Sequence, residues 1–140
     1  MTLRDRLRNG RQDEGFDDPL SKLLKRLQPF LEPDEKVESV VRAWTAVPGK
    51  GSTDTGVWIL VTDRSVVRID CWLATHRPKE LKLRLPRTAR LLNGPLDTTR
   101  FSAVLHPHFG HPVPVVMREN FRGLAAVDQK IAALAQDNPA

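Results

Sequence analysis

Cysteine is almost absent: Cys71 is the only one in 140 residues. No internal disulfide can brace the fold, and a reducing compartment is the expected setting. Placed at the end of an apolar strand, that thiol reads as buried and inert, because such surroundings do not lower its pKa. Long apolar runs are missing too, none approaching the roughly 20 residues a spanning helix needs. The opening Met1-Thr2-Leu3-Arg4-Asp5-Arg6 lacks the apolar stretch of a secretory leader. A cytoplasmic protein is expected, with peripheral membrane association as the one membrane route. No internal repeat or low-complexity tract is found. No set of base, nucleophile and orienting residue is visible either, so the chain is not expected to be an enzyme or to need a cofactor.

What is present is ordinary globular material, 40% apolar and 28% charged, enough for one domain with a core of its own. The net charge of +5 is uneven. Residues 1–36 hold eight Lys/Arg and eight Asp/Glu, whereas residues 37–140 hold fourteen and nine, so the whole surplus (14 − 9 = 5) lies in the latter. Such a surplus favours acidic partners without choosing among them.

Residues 1–17 read as a flexible arm and residues 18–140 as a single domain. Asp18 and Pro19 suit the N-cap and first position of a helix over 18–31. Leu20, Leu23, Leu24, Leu27 and Leu31 supply its apolar stripe, and Pro29 should end or kink it. Strands are expected between 37 and 117. Val37–Thr45 is the first, followed by a loop at Val47–Thr55. Val57–Val61 and Val66–Ile69 then flank the polar break Thr62–Ser65 as a hairpin. Val57, Ile59 and Val61 share one face, Trp58 and Leu60 the other, so this strand should be buried on both sides. Glu80–Pro86 alternates cleanly, with Leu81, Leu83 and Leu85 on one side and Lys82 and Arg84 on the other. Phe101–Leu105 and Val113–Met117 form a further hairpin. A helix over 120–136, N-capped by Asn120, presents Phe121, Leu124, Val127, Ile131 and Leu134. The order is mainly β (α+β): an antiparallel sheet or barrel plugged by a C-terminal helix, with an extra N-terminal amphipathic helix.

Three segments in order carry a family resemblance. They are Leu31-Glu32-Pro33-Asp34-Glu35-Lys36-Val37, Gly56-Val57-Trp58-Ile59-Leu60-Val61-Thr62-Asp63-Arg64-Ser65-Val66-Val67, and Leu81-Lys82-Leu83-Arg84-Leu85-Pro86. Together with the closing helix, they make residues 31–136 resemble the bacterial pleckstrin-homology-like (PH-like) family. The resemblance implies a partly open antiparallel β-barrel of six to seven strands capped by a C-terminal helix. It also implies binding or scaffolding rather than catalysis.

Several clusters bear on function. Arg77, Lys79, Lys82, Arg84, Arg87 and Arg90 form a basic ridge opposed by Glu80 alone. The ridge reads either as a binding surface for phosphates, anionic headgroups or an acidic partner or as a solvated face that blunts a sheet edge. No aromatic is interleaved with it, which argues against nucleic acid. His106, His108 and His111 read as a stiff turn rather than a metal site, since no Cys or carboxylate accompanies them. Asp63 is expected to brace its own turn. The Leu20, Leu23, Leu24, Leu27 stripe packs on its own domain or engages a partner, a second copy of the chain included. The leading expectation is a non-catalytic module that recruits a protein partner in the bacterial cytoplasm. The alternative is peripheral association with anionic lipid through residues 77–90.

Overall fold

The computed structural model describes residues 19–45, 55–72, 75 and 77–137. The arm 1–17, the N-cap expected at Asp18 and all of the Val47–Thr55 loop except Thr55 lie outside the described residues. The chain divides into two units, Met1–Asp34 and Glu35–Ala140.

In the first unit, helix α1 spans Pro19–Leu27. It stops short of the expected Leu31, because a 3-10 turn at Gln28–Phe30 takes over and Leu31 is extended. Pro29 is the cause: it has no amide to continue the ladder and restricts the residue before it. The Leu31 N–H bonds instead to the Gln28 carbonyl at 3.0 Å.

The second unit holds β1 (Val37–Thr45), β2 (Thr55–Thr62), β3 (Ser65–Cys71), β4 (Pro78–Pro86), β5 (Ser102–Val104), β6 (Val115–Met117) and α2 (Phe121–Asp137). The six strands make one open antiparallel sheet in the order β4-β3-β2-β1-β6-β5. Beyond it a single bridge joins Leu92 and Leu105. A 3-10 turn, Arg118–Asn120, leads into α2, which begins one residue after the expected N-cap.

Side-chain alternation places Val57, Ile59 and Val61 of β2 on the face that meets Val41 and Ala43 of β1 and Val66 of β3. Phe121, Leu124, Val127 and Ile131 of α2 close over that face, each contributing about 1.5–3 kcal/mol by leaving water. Leu60, Val67 and Ile69, on the opposite face, are buried too. The expectation that β2 is buried on both sides therefore holds.

One register expectation is corrected. On β4, Leu83 pairs with Arg68 but Leu81 pairs with Ile69, so Lys82 is an extra, bulged residue. Leu83 and Leu85 pack on the core, whereas Leu81 goes to the other face and is 37% exposed. A bulge moves everything beyond it by one residue, and period-2 patterning cannot reveal that. A second bulge falls at Lys79.

Candidate functional site

The Thr62–Ser65 turn is the most polar point of the β2–β3 hairpin. The Thr62 hydroxyl accepts the Arg64 and Ser65 amides at 3.1 and 3.0 Å, so Thr62 braces the turn. Asp63 does something else. Its Oδ1 accepts the Lys36 N–H at 3.0 Å, and its own N–H donates to the Lys36 carbonyl at 3.0 Å. The expected self-bracing Asp63 is thus corrected to a clamp on the segment leading into β1. A hydroxyl one residue earlier already satisfies the turn amides, which frees the carboxylate.

Beneath the turn lies Glu35, only 2% exposed. Its Oε2 accepts from Thr62 Oγ1 at 2.5 Å, Ser65 Oγ at 3.1 Å and Arg84 Nη1 at 2.7 Å. Arg84 Nη1 also reaches Ser65 Oγ at 2.5 Å. A serine beside a carboxylate invites a nucleophile reading, but both are buried and the carboxylate is neutralised by a guanidinium. The serine hydroxyl is already bonded to both the carboxylate and the guanidinium. The constellation joins β1, the hairpin and β4, and its chemistry is structural.

A second charged pair lies inside the sheet. Arg68 and Asp70, 5% and 6% exposed, alternate on the core-facing side of β3. Arg68 Nε donates to Asp70 Oδ1 at 2.8 Å and Nη1 to the Phe109 carbonyl at 2.6 Å. Gly110 adopts φ +121°, and a Cβ there would lie 2.8 Å from Arg68 Nη1. A glycine is required at that position for both reasons. Sequence reasoning missed this pair. Its signal was available: two charges at i and i+2 in a strand otherwise apolar on both faces.

The basic ridge separates into two groups. Arg84 is held by Glu35. Arg87 bonds Glu38 at 2.5 Å and the Thr62 carbonyl at 3.2 Å. Arg90 grips Asp128 of α2 through Nε and Nη2 at 3.1 and 2.6 Å. Asp128 also accepts the Leu91 N–H at 2.8 Å. Burial pushes the Asp128 carboxyl up, but the Arg90 and backbone donors outweigh it and hold it below its ordinary value. Arg77, Lys79 and Lys82 lie instead at the β3–β4 end of the sheet and are exposed. Lys82 meets Glu80 at 3.4 Å, and Lys79 Nζ sits 3.8 Å above the ring of Trp72, itself 57% exposed. Of the leucine stripe, Leu23, Leu24 and Leu27 lie on α1, and the Leu20 side chain is outside the described residues.

His106 and His108 stack at 3.8 Å. His106 Nδ1 accepts the His108 N–H at 3.1 Å, and His108 Nε2 lies 2.9 Å from the Arg90 carbonyl. Burial first, then the neighbouring His106, lowers the His108 pKa. His111 precedes Pro112 in a cis bond. No group of three His, Cys, Asp or Glu able to hold a metal occurs among the described residues. Cys71 is buried, and that burial pushes its thiol up.

Two of the clefts formed by the described residues of this unit are sizeable. One, about 360 Å³, runs between α2 and the start of β1, with Val61 and Ile131 in its floor and Lys130 on its rim. The other, about 500 Å³, lies between β5 and the Leu92–Leu96 segment. Phe101 and Val104 line it and are 80% and 59% exposed. No helix is long and apolar enough to cross a membrane among the described residues. No family model, curated protein or solved structure matches the chain.

Proposed function

We propose that the chain is a non-catalytic, PH-like binding module that recruits a protein partner in the bacterial cytoplasm. One contrast carries this reading. The clustered charged groups that would serve catalysis are buried and satisfied by one another, as at Glu35, Arg68–Asp70 and Asp128. The large apolar side chains Phe101 and Val104 are left in solvent beside a cleft, and exposed apolar surface of this kind marks interaction sites. The test is affinity capture with the tagged chain from its native host, followed by titration of the purified candidate. A saturable complex supports the reading. If no captured protein binds saturably and the chain does not self-associate, recruitment is abandoned.

A second reading draws on Trp72 and Lys79. An exposed tryptophan beneath a lysine, with Arg77 and Lys82 nearby, is the composition that settles at an anionic bilayer surface. Flotation with anionic against neutral vesicles decides it. Binding that is absent, or unchanged in Lys82→Ala, rules it out.

A further inference from the structure

The two edges of the sheet are built differently. β4 begins and ends in proline and carries bulges at Lys79 and Lys82. Prolines, bulges and lysines are the devices that stop an edge from pairing with another chain. β5 has none of them. Over Ser102–Val104 it has β6 on one side and, among the described residues, no strand on the other. The Leu92–Leu105 bridge and the His106 N–H bond to the Leu91 carbonyl at 2.7 Å close this edge only at its far end.

Its backbone alternation is fixed by two bonds that flank it. The Arg118 N–H donates to the Phe101 carbonyl at 2.8 Å, and the Leu105 N–H to the Pro114 carbonyl at 2.9 Å. Phe101, Ala103 and Leu105 therefore face β6 with their backbone groups. Ser102 turns its N–H and C=O the opposite way, towards the 500 Å³ cleft, and so does the Val104 N–H. The cleft thus offers an unpaired ladder, with Phe101 and Val104 beside it and Leu92 and Leu96 on the facing wall.

We infer that this cleft takes an extended segment of a protein partner, added as a strand alongside β5, with alternate apolar residues and an acidic residue at the Phe101 end. The inference rests on the recruitment reading above and names its site. Charge sets the acidic preference. Asp97 is already engaged by the Thr99 hydroxyl and amide at 2.6 and 3.0 Å and by Arg100 at 3.0 Å. Arg118 is exposed and has no ion pair among the described residues. It stands opposite Phe101 on the β6 side and is not part of the cleft lining, so an acidic side chain meets it only by reaching round the Phe101 end. Size argues against a second copy. A stable pair of globular chains needs roughly 800 Å² from each partner. Here the free edge is three residues long, and a two-fold copy would bring another concave cleft to face the first. A single strand seated about 4.8 Å from β5 fills the space and satisfies the ladder.

The test uses the full chain as bait for a displayed library of random decapeptides. The tightest peptide is then synthesised and titrated with backbone amide shifts as the readout. We expect apolar residues at alternate positions with an acidic residue at one end, and shifts at Ser102–Val104. Val104→Glu should weaken binding about tenfold or more, as loss of a central apolar contact does. Arg118→Glu should weaken it less and remove most of its salt dependence. Far-ultraviolet circular dichroism confirms that both exposed-site variants fold.

Peptides that bind with shifts elsewhere, or are indifferent to Val104→Glu, overturn the site while recruitment stands. So does a captured protein whose binding Val104→Glu leaves unchanged when the library yields nothing. A dimer of the chain, lost in Val104→Glu, replaces the partner segment with a second copy and also overturns the inference. Failure of the recruitment reading shows separately, as no saturable protein at all.

Discussion

Six cations lie within fourteen residues, yet the fold puts them to two uses. Arg84, Arg87 and Arg90 are tied to Glu35, Glu38 and Asp128, acidic groups from distant parts of the chain. Arg77, Lys79 and Lys82 stay at one end of the sheet in water. Residue type does not separate the groups completely, since Arg77 falls with the lysines. Position does. Beyond Lys82 the strand approaches the Glu35 clamp and then turns towards α2, so Arg84 and Arg90 meet carboxylates fixed by hydroxyl or backbone donors, and Arg87 meets the half-exposed Glu38 between them. Bulges at Lys79 and Lys82 push the chain out of register, and among the described residues the carboxylate paired with these charges is Glu80. A run of like charge is thus part of the scaffold at one end and surface at the other.

The contrast breaks most sharply where a charge is fully enclosed. Arg68→Leu strands the Asp70 carboxylate and the Phe109 carbonyl in the core. It should cost about 3–5 kcal/mol in urea unfolding, the penalty of an unpaired buried charge. The double variant Arg68→Leu/Asp70→Leu should recover much of that loss. Equal instability of single and double variants would mean that the stranded Asp70 carboxylate is not the source of the loss.

Arg84→Ala comes next, at about 2 kcal/mol. Glu35 keeps its Thr62 and Ser65 hydroxyl donors, and water can reach part of the space the guanidinium leaves. Glu35→Ala should be at least as damaging, because it releases Thr62, Ser65 and Arg84 together. A loss below about 0.5 kcal/mol in Arg84→Ala would move Arg84 into the surface group.

Much of this was legible beforehand, and the failures share a cause. β1, the β2–β3 hairpin and α2 announced themselves through alternation and helical spacing, because one face of each meets the core. The Glu35 clamp was half visible: the Glu-Lys and Thr-Asp-Arg pieces stood out, but their pairing across 27 residues is a tertiary fact. Leu81 was misplaced because a bulge leaves the letters of the alternation intact while reversing their direction. Arg68 and Asp70 escape a pattern reading because a charge in a strand signals a wet face, whereas these two satisfy one another inside. Phe101 falls in the expected Phe101–Leu105 strand, whose pattern does not say which of its residues face water. Only the break in pairing beyond β5 shows that it faces water.

Acid should release the Arg90–Asp128 contact only below the range where carboxylates ordinarily titrate, because Asp128 holds its charge more strongly than a free carboxyl. A carboxyl whose folded pKa is lowered gives stability that is complete above its unfolded value, about 3.9, and lost as pH falls through the folded value. His108, also lowered, likewise gives stability that is complete above about pH 6.5 and lost as pH falls below it. Unfolding free energy should therefore decline in two steps on acidification. Asp128→Asn should cost about 1–2 kcal/mol at neutral pH and flatten the lower step. His108→Gln should flatten the upper step alone. A lower step that persists in Asp128→Asn assigns it to another carboxylate.

The smallest effect belongs to Lys82, and its smallness is the point. The Lys82–Glu80 pair is 3.4 Å apart, with both side chains about half exposed, so Lys82→Ala should change stability by no more than about 0.5 kcal/mol. High salt should erase even that. Bulged and unpaired, Lys82 holds no ladder position that its removal could vacate. A loss above 1 kcal/mol in Lys82→Ala would erase the division between scaffold and surface cations. A silent Lys82→Ala keeps the division, and makes this the right variant for the vesicle experiment, where any lost binding then belongs to the charge and not to the fold.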